Sequence, residues 1–368
     1  MVGYIFAFLV SFLFTLAISI PFIKFLYRFN IRRVSKAELD AILPGRQIKF
    51  GTPIMGGTII LLSILLFSYV YLRDWEFFPA ILSICIIGGI LGAIDEYTNT
   101  LGRTFRAVRI SRSIDGIYSF FNFKQTFLQR AKKIILKPWA MFESVLRMLG
   151  SEQKGMKSHY KLLTHMLLAV IVAYFYAVAN PSTEFFIFSF ISIDLGYLYY
   201  VVLIALLLFI ANGFGITDGM DGLSAGLHTV SFGFYGIFAL MVGYTEVGIL
   251  CFIIAGAELA FLYFNINPAR FEMSDVGTLP LGMLLVLIAF ILKVEFSLLF
   301  VGGIYIIEIL STIIQVASVK LRNGKRVFLV APIHHHFEKL GWPETKVTMR
   351  FWVINIVLAM VGLFVCFL

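Results

Sequence analysis

MVGYIFAFLVSFLFTLAISIPFIKFLY, residues 1–27, is an apolar run with a single charged side chain, Lys24. A helix of about 20 residues is long enough to cross the roughly 30 Å hydrocarbon core of a bilayer. The run is too long for a cleavable signal peptide, and no small-residue cleavage site follows it. We therefore predict a membrane-spanning helix that stays in the protein.

Similar runs recur along the 368-residue chain, which is 60% hydrophobic and only 14% charged. A soluble domain carries about 25% charged residues, so this composition excludes an ordinary soluble fold. We predict an all-α polytopic membrane protein, a single domain over residues 1–368 with about ten transmembrane helices. The predicted spans are residues 3–26, 53–72, 77–94, 161–180, 196–212, 222–242, 247–264, 277–292, 296–319 and 349–368.

Basic residues are concentrated in alternate loops. Most of the 30 lysines and arginines lie in residues 27–52, 95–160 and 320–348, whereas the opposite loops hold only Arg73 and Lys293. Positively charged loops stay in the cytoplasm, so we predict that both termini lie outside. The net charge of +9 then reflects topology, and we expect no nucleic-acid partner.

The long loop contains an inserted segment at about 103–150 with an amphipathic pattern. Phe120, Phe123 and Phe127 recur at helical spacing, with Arg130 and Lys133 on another face. Basic amphipathic helices bind the anionic inner leaflet. Packing against the protein's own cytoplasmic face explains the pattern equally well, so both interpretations stay open.

Acidic side chains cluster at the predicted cytoplasmic ends of spans. They are Asp95 and Glu96, Asp218 and Asp221 in TDGMDG, and Asp275 in MSDVGT. Mg²⁺ binds one or two carboxylates together with water and substrate phosphates, so acids on one side of the membrane indicate a divalent cation such as Mg²⁺. The alternative is that they are solvated or cap helices, as Asp218 and Asp221 could at the sixth span.

Glycines surround two of these acids, and we predict that they form a short loop before the sixth span. Backbone N–H groups in such a loop can approach a phosphate closely. The glycines are Gly213, Gly215, Gly219, Gly222 and Gly226.

Three consecutive histidines, His334, His335 and His336, follow Pro332 in the last cytoplasmic loop. Successive helical side chains point about 100° apart, so the three rings cannot converge on one zinc ion. Pro332 favours a helix start, where one or two imidazoles can bind phosphate.

Two acids, Glu258 and Glu308, lie within predicted spans. An acid inside a membrane usually marks a functional site, or it satisfies a polar group of a neighbouring helix. The isolated His228 is expected only to pack or to cap.

Six segments resemble, in order, the phospho-N-acetylmuramoyl-pentapeptide-transferase family, which makes the first lipid intermediate of peptidoglycan. APIHHHFE is the most specific match, because related glycan-lipid transferases carry a different histidine motif. The segments are KFGTPIMGG (49–57), GAIDEY (92–97), KGMKSHYKLL (154–163), ANGFGITDGMDGLSAG (211–226), YFNINPARFEMSDVGTLPLG (263–282) and GKRVFLVAPIHHHFEKLGWPETKV with MRFW (324–352).

The resemblance implies a reaction at the cytoplasmic face of a bacterial inner membrane. UDP-N-acetylmuramoyl-pentapeptide would give its sugar phosphate to undecaprenyl phosphate, forming lipid I and UMP with Mg²⁺ as cofactor. Membrane lipids are further partners, and a homodimer is compatible with the family. The implied residues are Asp95, Glu96, Asp275 and His334 for catalysis, Asp275 and Asp95 for the metal, and Lys49, Lys161, Asn212, Asp218, Gly219, Asp221, Asn265, His335 and His336 for substrates.

The chain departs from the family pattern at four positions. Glu96 replaces the second acid of an Asp-Asp pair, Gly215 an asparagine, Ile54 a threonine, and Glu272 an aromatic residue near the uracil. Two other functions are therefore alternatives: a related transferase that uses UDP-N-acetylglucosamine, and an inactive lipid-binding relative or transporter. Direct attack and transfer through a covalent intermediate both fit the sequence.

Overall fold

The computed structural model describes residues 2–33, 51–100, 150–151, 155–156, 158–188 and 190–367. Lys49 and nearly all of the insertion predicted at about 103–150 lie outside these residues. The chain divides into a main unit, residues 1–92 with 165–368, and a second unit, residues 93–164.

Helices make up most of the described chain. They include a π-helical turn at Ile84–Gly88 and a 3-10 turn at Glu295–Ser297. The helices are α1 (Val2–Arg28), α2 (Gly57–Leu72), α3 (Phe78–Ser83), α4 (Gly89–Thr100), α5 (Ser158–Ala179), α6 (Leu198–Thr217), α7 (Leu223–Val242), α8 (Thr245–Asn265), α9 (Asp275–Ile291), α10 (Leu298–Val301), α11 (Gly303–Leu321), α12 (Ile333–Lys339) and α13 (Glu344–Phe367).

The predicted all-α polytopic class is confirmed. Eight helices in the described residues are long and apolar enough to cross a membrane, counting α3, the π turn and most of α4 as one. The shorter α2 and α9 are also apolar. These segments lie where spans were predicted, because each apolar run is long enough to form its own helix.

Two boundaries differ from the prediction. Helix α6 continues to Thr217, so Gly213 and Gly215 lie in a helix and the prediction of a loop there was wrong. A β-carbon at Gly213 would stand 3.0 Å from the carbonyl oxygen of Tyr305, so this glycine lets α6 pack closely on α11. The ninth predicted span is interrupted at Gly302, between α10 and α11.

Two short antiparallel hairpins were not predicted. Strand β1 (Gly150–Ser151) pairs with β2 (Gly155–Met156), and β3 (Glu184–Phe188) pairs with β4 (Ile191–Asp194). The aromatic and β-branched residues of β3 and β4 favour strands, and this local preference was the missed signal.

Buried Glu295 connects the β3–β4 hairpin to the helices. Its carboxylate accepts hydrogen bonds from the amide of Phe186 at 3.1 Å and from the hydroxyl of Tyr199 at 3.0 Å. Burial raises the pKa of Glu295 to about 7, although these hydrogen bonds act in the opposite direction.

Helix α9 is the most enclosed helix in the described part of the chain, and its first residue, Asp275, is one of the predicted site residues. Every residue from Val276 to Ile291 is buried, and α9 packs against α6 and α2. A β-carbon at Gly57 would collide with the backbone of Gly277, and one at Gly92 would collide with the carbonyl group of Asp275. These close approaches fix the start of α9.

Candidate active site

Asp275 is the first residue of α9, where the helix dipole favours a negative charge. Its Oδ1 accepts a long hydrogen bond from Thr278 Oγ1 at 3.5 Å. Gly215 of α6 lies beside the carboxylate, and a β-carbon there would stand 3.3 Å from Oδ1. The lack of a side chain at Gly215 therefore leaves space next to Asp275.

Asp218 follows the end of α6 and is held close to Asp275. Its Oδ2 accepts a hydrogen bond from the amide of Ser274 at 3.0 Å. Burial and the carboxylate of Glu272 raise the pKa of Asp218 to about 7, and Asp275 adds to this effect, whereas the Ser274 hydrogen bond and Arg33 oppose it. Asp218 therefore stands in a crowded acidic environment that a cation would stabilise.

The carboxylates of Asp218 and Asp275 are ligands of the kind that Mg²⁺ prefers. Within the described ranges, no three or more His, Cys, Asp or Glu side chains are grouped to hold a metal. Zinc sites take three or four protein ligands, whereas Mg²⁺ commonly takes one or two carboxylates and completes its coordination with water and phosphate. Asp275, with the space left by Gly215, is the residue best placed to hold Mg²⁺.

Asp221 ties three segments of the main unit together. Its Oδ2 accepts hydrogen bonds from Asn267 Nδ2 and from the Ala269 amide, both at 3.0 Å. Its own amide donates to Glu344 Oε1 at 2.6 Å, at the start of α13. The residue that precedes α7 is Gly222, with no side-chain cap, so the capping alternative was wrong for Asp221.

Asn265 organises the same region through its side-chain amide. Its Oδ1 accepts a hydrogen bond from the Gly222 amide at 3.0 Å, and its Nδ2 donates to the Phe271 carbonyl at 2.9 Å. Asn212 donates within its own helix, to the carbonyl of Leu208 at 2.7 Å. Asn265 thus holds the turn at Gly222, here called the glycine turn, against the segment that leads to α9.

The three histidines point in different directions, as predicted, and α12 begins directly after Pro332. His334 Nδ1 lies 2.9 Å from Glu308 Oε2. His335 Nδ1 lies 2.9 Å from Glu338 Oε2, and His336 Nδ1 accepts a hydrogen bond from the backbone of the preceding loop at 3.1 Å.

His334 connects α11 to the turn that carries Asp218. Its ring is fully buried, and its Nε2 lies where a β-carbon of Gly219 would stand. Gly219 itself closes a tight turn by donating its amide hydrogen to the carbonyl of Thr217 at 2.8 Å. Asp218, Asp275 and His334 are therefore brought together at one end of α6, α9 and α12.

Gln315 holds the loop that leads to the histidines along the side of α11. Its Nε2 donates to the Phe328 carbonyl at 2.9 Å, and its Oε1 accepts from the amides of Val327 at 3.1 Å and Phe328 at 2.9 Å. Further along the chain, the Ile333 amide donates to Ser311 Oγ at 3.0 Å. This clamp sets the position at which α12 begins.

In the second unit, Asp95 is buried and paired with Lys161. The Lys161 Nζ lies 2.7 Å from Asp95 Oδ2, so two residues predicted to act on substrates contact each other directly. Thr98 Oγ1 donates to the Asp95 carbonyl at 2.8 Å. Glu96 is the next residue of α4 and is half-buried.

Three side chains that contact these residues were not assigned a role from sequence. Glu308 was a candidate only because an acid inside an apolar run is unusual. Arg33 forms an ion pair with Glu272 at 2.7 Å, and Glu344 bonds to the Asp221 backbone. Neither has a local pattern that sequence reasoning could have used, since both partners are distant along the chain.

Comparison with known proteins decides the family. A family model described as "Glycosyl transferase family 4" matches residues 149–293. A "Phospho-N-acetylmuramoyl-pentapeptide-transferase" of Geobacillus sp. (strain WCH70) is 32% identical over 364 residues, 98% of this chain and 96% of that protein. Proteins of the same name from Halalkalibacterium halodurans and Bacillus subtilis (strain 168) are 34% and 31% identical, over 97% and 98% of this chain and 95% and 97% of theirs.

The chain belongs to the phospho-N-acetylmuramoyl-pentapeptide-transferase family. With its apolar helices, this membership makes it an integral membrane transferase. Three of its departures from the pattern of the phospho-N-acetylmuramoyl-pentapeptide-transferase family lie in the main unit. Gly215 adjoins Asp275, Glu272 pairs with Arg33, and Ile54 is buried at 2% exposure.

Proposed function

We propose that the protein transfers phospho-N-acetylmuramoyl-pentapeptide from its UDP donor to undecaprenyl phosphate, forming lipid I and UMP in peptidoglycan synthesis. The observation that carries the proposal is the cluster of Asp218, Asp275 and His334 at helix ends. Relatives with the corresponding name match nearly the whole chain, which supports assigning that chemistry to the cluster.

Phosphoryl transfer depends mainly on positioning and on neutralising charge. Mg²⁺ held by Asp275 would offset the charge of the donor diphosphate. The chain's own residues do the rest: the Ser274 amide orients Asp218 beside Asp275, and Asn265 and Asp221 keep the glycine turn in place. His335 and His336 are assigned to the phosphates of the donor.

We assign Asp95 and Lys161 to the acceptor phosphate, and Asp95 also to metal binding. The ammonium group of Lys161 attracts a phosphate anion, and Asp95 is the base if transfer requires one. A phosphate monoester has a second pKa near 6 and is mostly ionised at pH 7, so a modest base is sufficient. Lys49 and Asn212 are assigned to substrate binding.

We further propose that the site faces the cytoplasm of a bacterial inner membrane, with ten spans and both termini outside. The supporting observation is the concentration of lysine and arginine in alternate loops. A nucleotide-linked donor then arrives from the cytoplasm and a lipid acceptor from the membrane. Both meet at the ends of the helices, where the acids lie.

The test is an assay of the purified protein with UDP-N-acetylmuramoyl-pentapeptide, undecaprenyl phosphate and MgCl₂, in which UMP and the lipid product are both measured. We expect equimolar UMP and lipid I, and loss of both with excess EDTA. UMP released only from UDP-N-acetylglucosamine would establish the related transferase instead. Donor binding without UMP from either donor would establish an inactive relative.

A further inference from the structure

Two glutamate–histidine pairs are buried in the main unit. Glu308 Oε2 lies 2.9 Å from His334 Nδ1, and Glu258 Oε1 lies 3.3 Å from His228 Nδ1. All four side chains have 0% exposure. The two pairs therefore have the same residue types and the same burial, and they differ in what the second ring nitrogen contacts.

The His228 pair is closed. His228 Nε2 lies 2.9 Å from Ser224 Oγ, so both ring nitrogens have hydrogen-bond partners. The ring stacks on Phe214 with centroids 4.2 Å apart. This pair has the form of a structural contact between α7 and α8, in which both imidazole nitrogens of His228 have a partner.

The His334 pair is open. Among the residues that the structure describes, His334 Nε2 has no hydrogen-bond partner, and it is directed at Gly219, next to Asp218. A buried polar atom without a partner costs free energy. The fold nevertheless leaves His334 Nε2 facing the turn at Asp218 and Gly219. The His228 pair shows that the second nitrogen of such a buried histidine can have a hydrogen-bond partner.

The contact with Glu308 also decides where the imidazole proton lies. If Nδ1 carries the proton, it donates to Glu308 Oε2 and leaves Nε2 as a bare acceptor. The opposite placement would bury an N–H group against Gly219 with no acceptor among the described residues, which costs more free energy. A carboxylate on one imidazole nitrogen commonly fixes the tautomer in this way.

We propose that Glu308 is a positioning residue that holds His334 in the Nδ1–H form and turns Nε2, as an acceptor, toward the Asp218–Gly219 turn. This inference rests on the proposed function for the identity of the substrate that binds at the turn. A nucleoside-diphosphate sugar offers hydroxyl groups, and metal-bound water offers further donors, which an unprotonated Nε2 can accept. Glu308 acts only through His334 and has no contact with substrate.

The test combines one spectroscopic and one kinetic measurement on the full-length protein in lipid bilayers. Solid-state NMR of protein labelled with ¹⁵N-histidine reports which ring nitrogen is protonated, and His334→Asn assigns the signal among the six histidines. Kinetics compare Glu308→Gln with Glu258→Gln, a matched control that makes the same substitution in the closed pair.

We expect the wild type to show His334 protonated at Nδ1 and unprotonated at Nε2. Glu308→Gln should give mixed tautomers and lower kcat about 10- to 100-fold, with an unchanged KM for the donor, whereas Glu258→Gln should keep the wild-type kcat. A wild-type signal from protonated Nε2, or equal kcat for the two variants, would overturn the proposal. If Glu308→Gln does not fold, the wild-type spectrum alone tests the proposed tautomer of His334. The spectrum does so even if the wild type releases no UMP, a result that would contradict only the proposed function.

Discussion

Gly219 and His334 are in direct contact, because the Nε2 atom of the histidine occupies the position that a β-carbon of the glycine would need. The contact joins the turn after α6 to the first part of α12. Gly219 cannot gain a side chain without moving His334 or the turn, so the position of Asp218, one residue away, depends on a glycine that has no chemistry of its own.

Gly219→Ala should reduce turnover at least tenfold, because the added methyl group displaces the His334 ring or the turn. Overpacking of this kind costs roughly 1–3 kcal/mol, so Tm should also fall. Gly233→Ala in α7 is the matched control, since a β-carbon there meets nothing within 4 Å. Equal activity of the two variants would show that the turn moves freely.

Asp275→Asn should cut turnover by about 10²- to 10³-fold, the range seen when one electrostatic group is removed from an active site. The substitution keeps the size of the side chain, so folding and membrane insertion should be retained. Titration of activity with MgCl₂ should show a lower affinity for Mg²⁺, so that half-maximal activity requires a higher MgCl₂ concentration than in the wild type. Asp74→Asn is the control, because that carboxylate is 93% exposed. If the turnover of Asp275→Asn lies within tenfold of the turnover of Asp74→Asn, the metal is bound elsewhere.

Substitutions of Glu96 test the effect of a glutamate where the family has the second aspartate of an Asp-Asp pair. If Glu96 only contributes charge beside Asp95, Glu96→Asp should keep most of the activity and Glu96→Gln should lose more. Steady-state rates with saturating donor and acceptor measure the difference. Equal losses in both variants would show instead that the reach of the carboxylate is critical.

Glu295 should make stability depend on pH. Its folded-state pKa of about 7 lies above the ordinary glutamate pKa of 4.5, so the folded protein binds more protons than the unfolded protein between these values. Stability from this group is full below about pH 4.5 and is lost as the pH rises through about 7. Tm should fall less across this window in Glu295→Gln than in the wild type, and identical slopes would contradict the prediction.

Reporter fusions test the orientation of the helices. Fusions after Tyr71 and Asn180 should report the outside, and fusions after Ser151 and Gly324 should report the cytoplasm, because basic loops are retained there. A pair of sites with inverted labelling would contradict the ten-span topology.

The sequence was sufficient for most of the helices because an apolar run of this length forms a helix of its own, as in α9, where every residue after Asp275 is buried. The histidine directions also followed from helix geometry alone. The partner of His334 did not, because Glu308 is reached only after the loop has folded back along α11. The extension of α6 was missed for a similar reason: Gly213 looks like a loop residue until Tyr305 packs against it.

The clamp formed by Gln315 has a consequence for how this part of the chain can vary. Gln315 bonds only to main-chain atoms of Val327 and Phe328, so replacing those side chains leaves all three bonds in place. One residue inserted between Phe328 and His334 would instead shift the histidines out of register. The bonds to Gln315 therefore constrain the length of the segment. An epitope is better inserted before it, at Asn323–Gly324, where both residues have positive φ and are exposed.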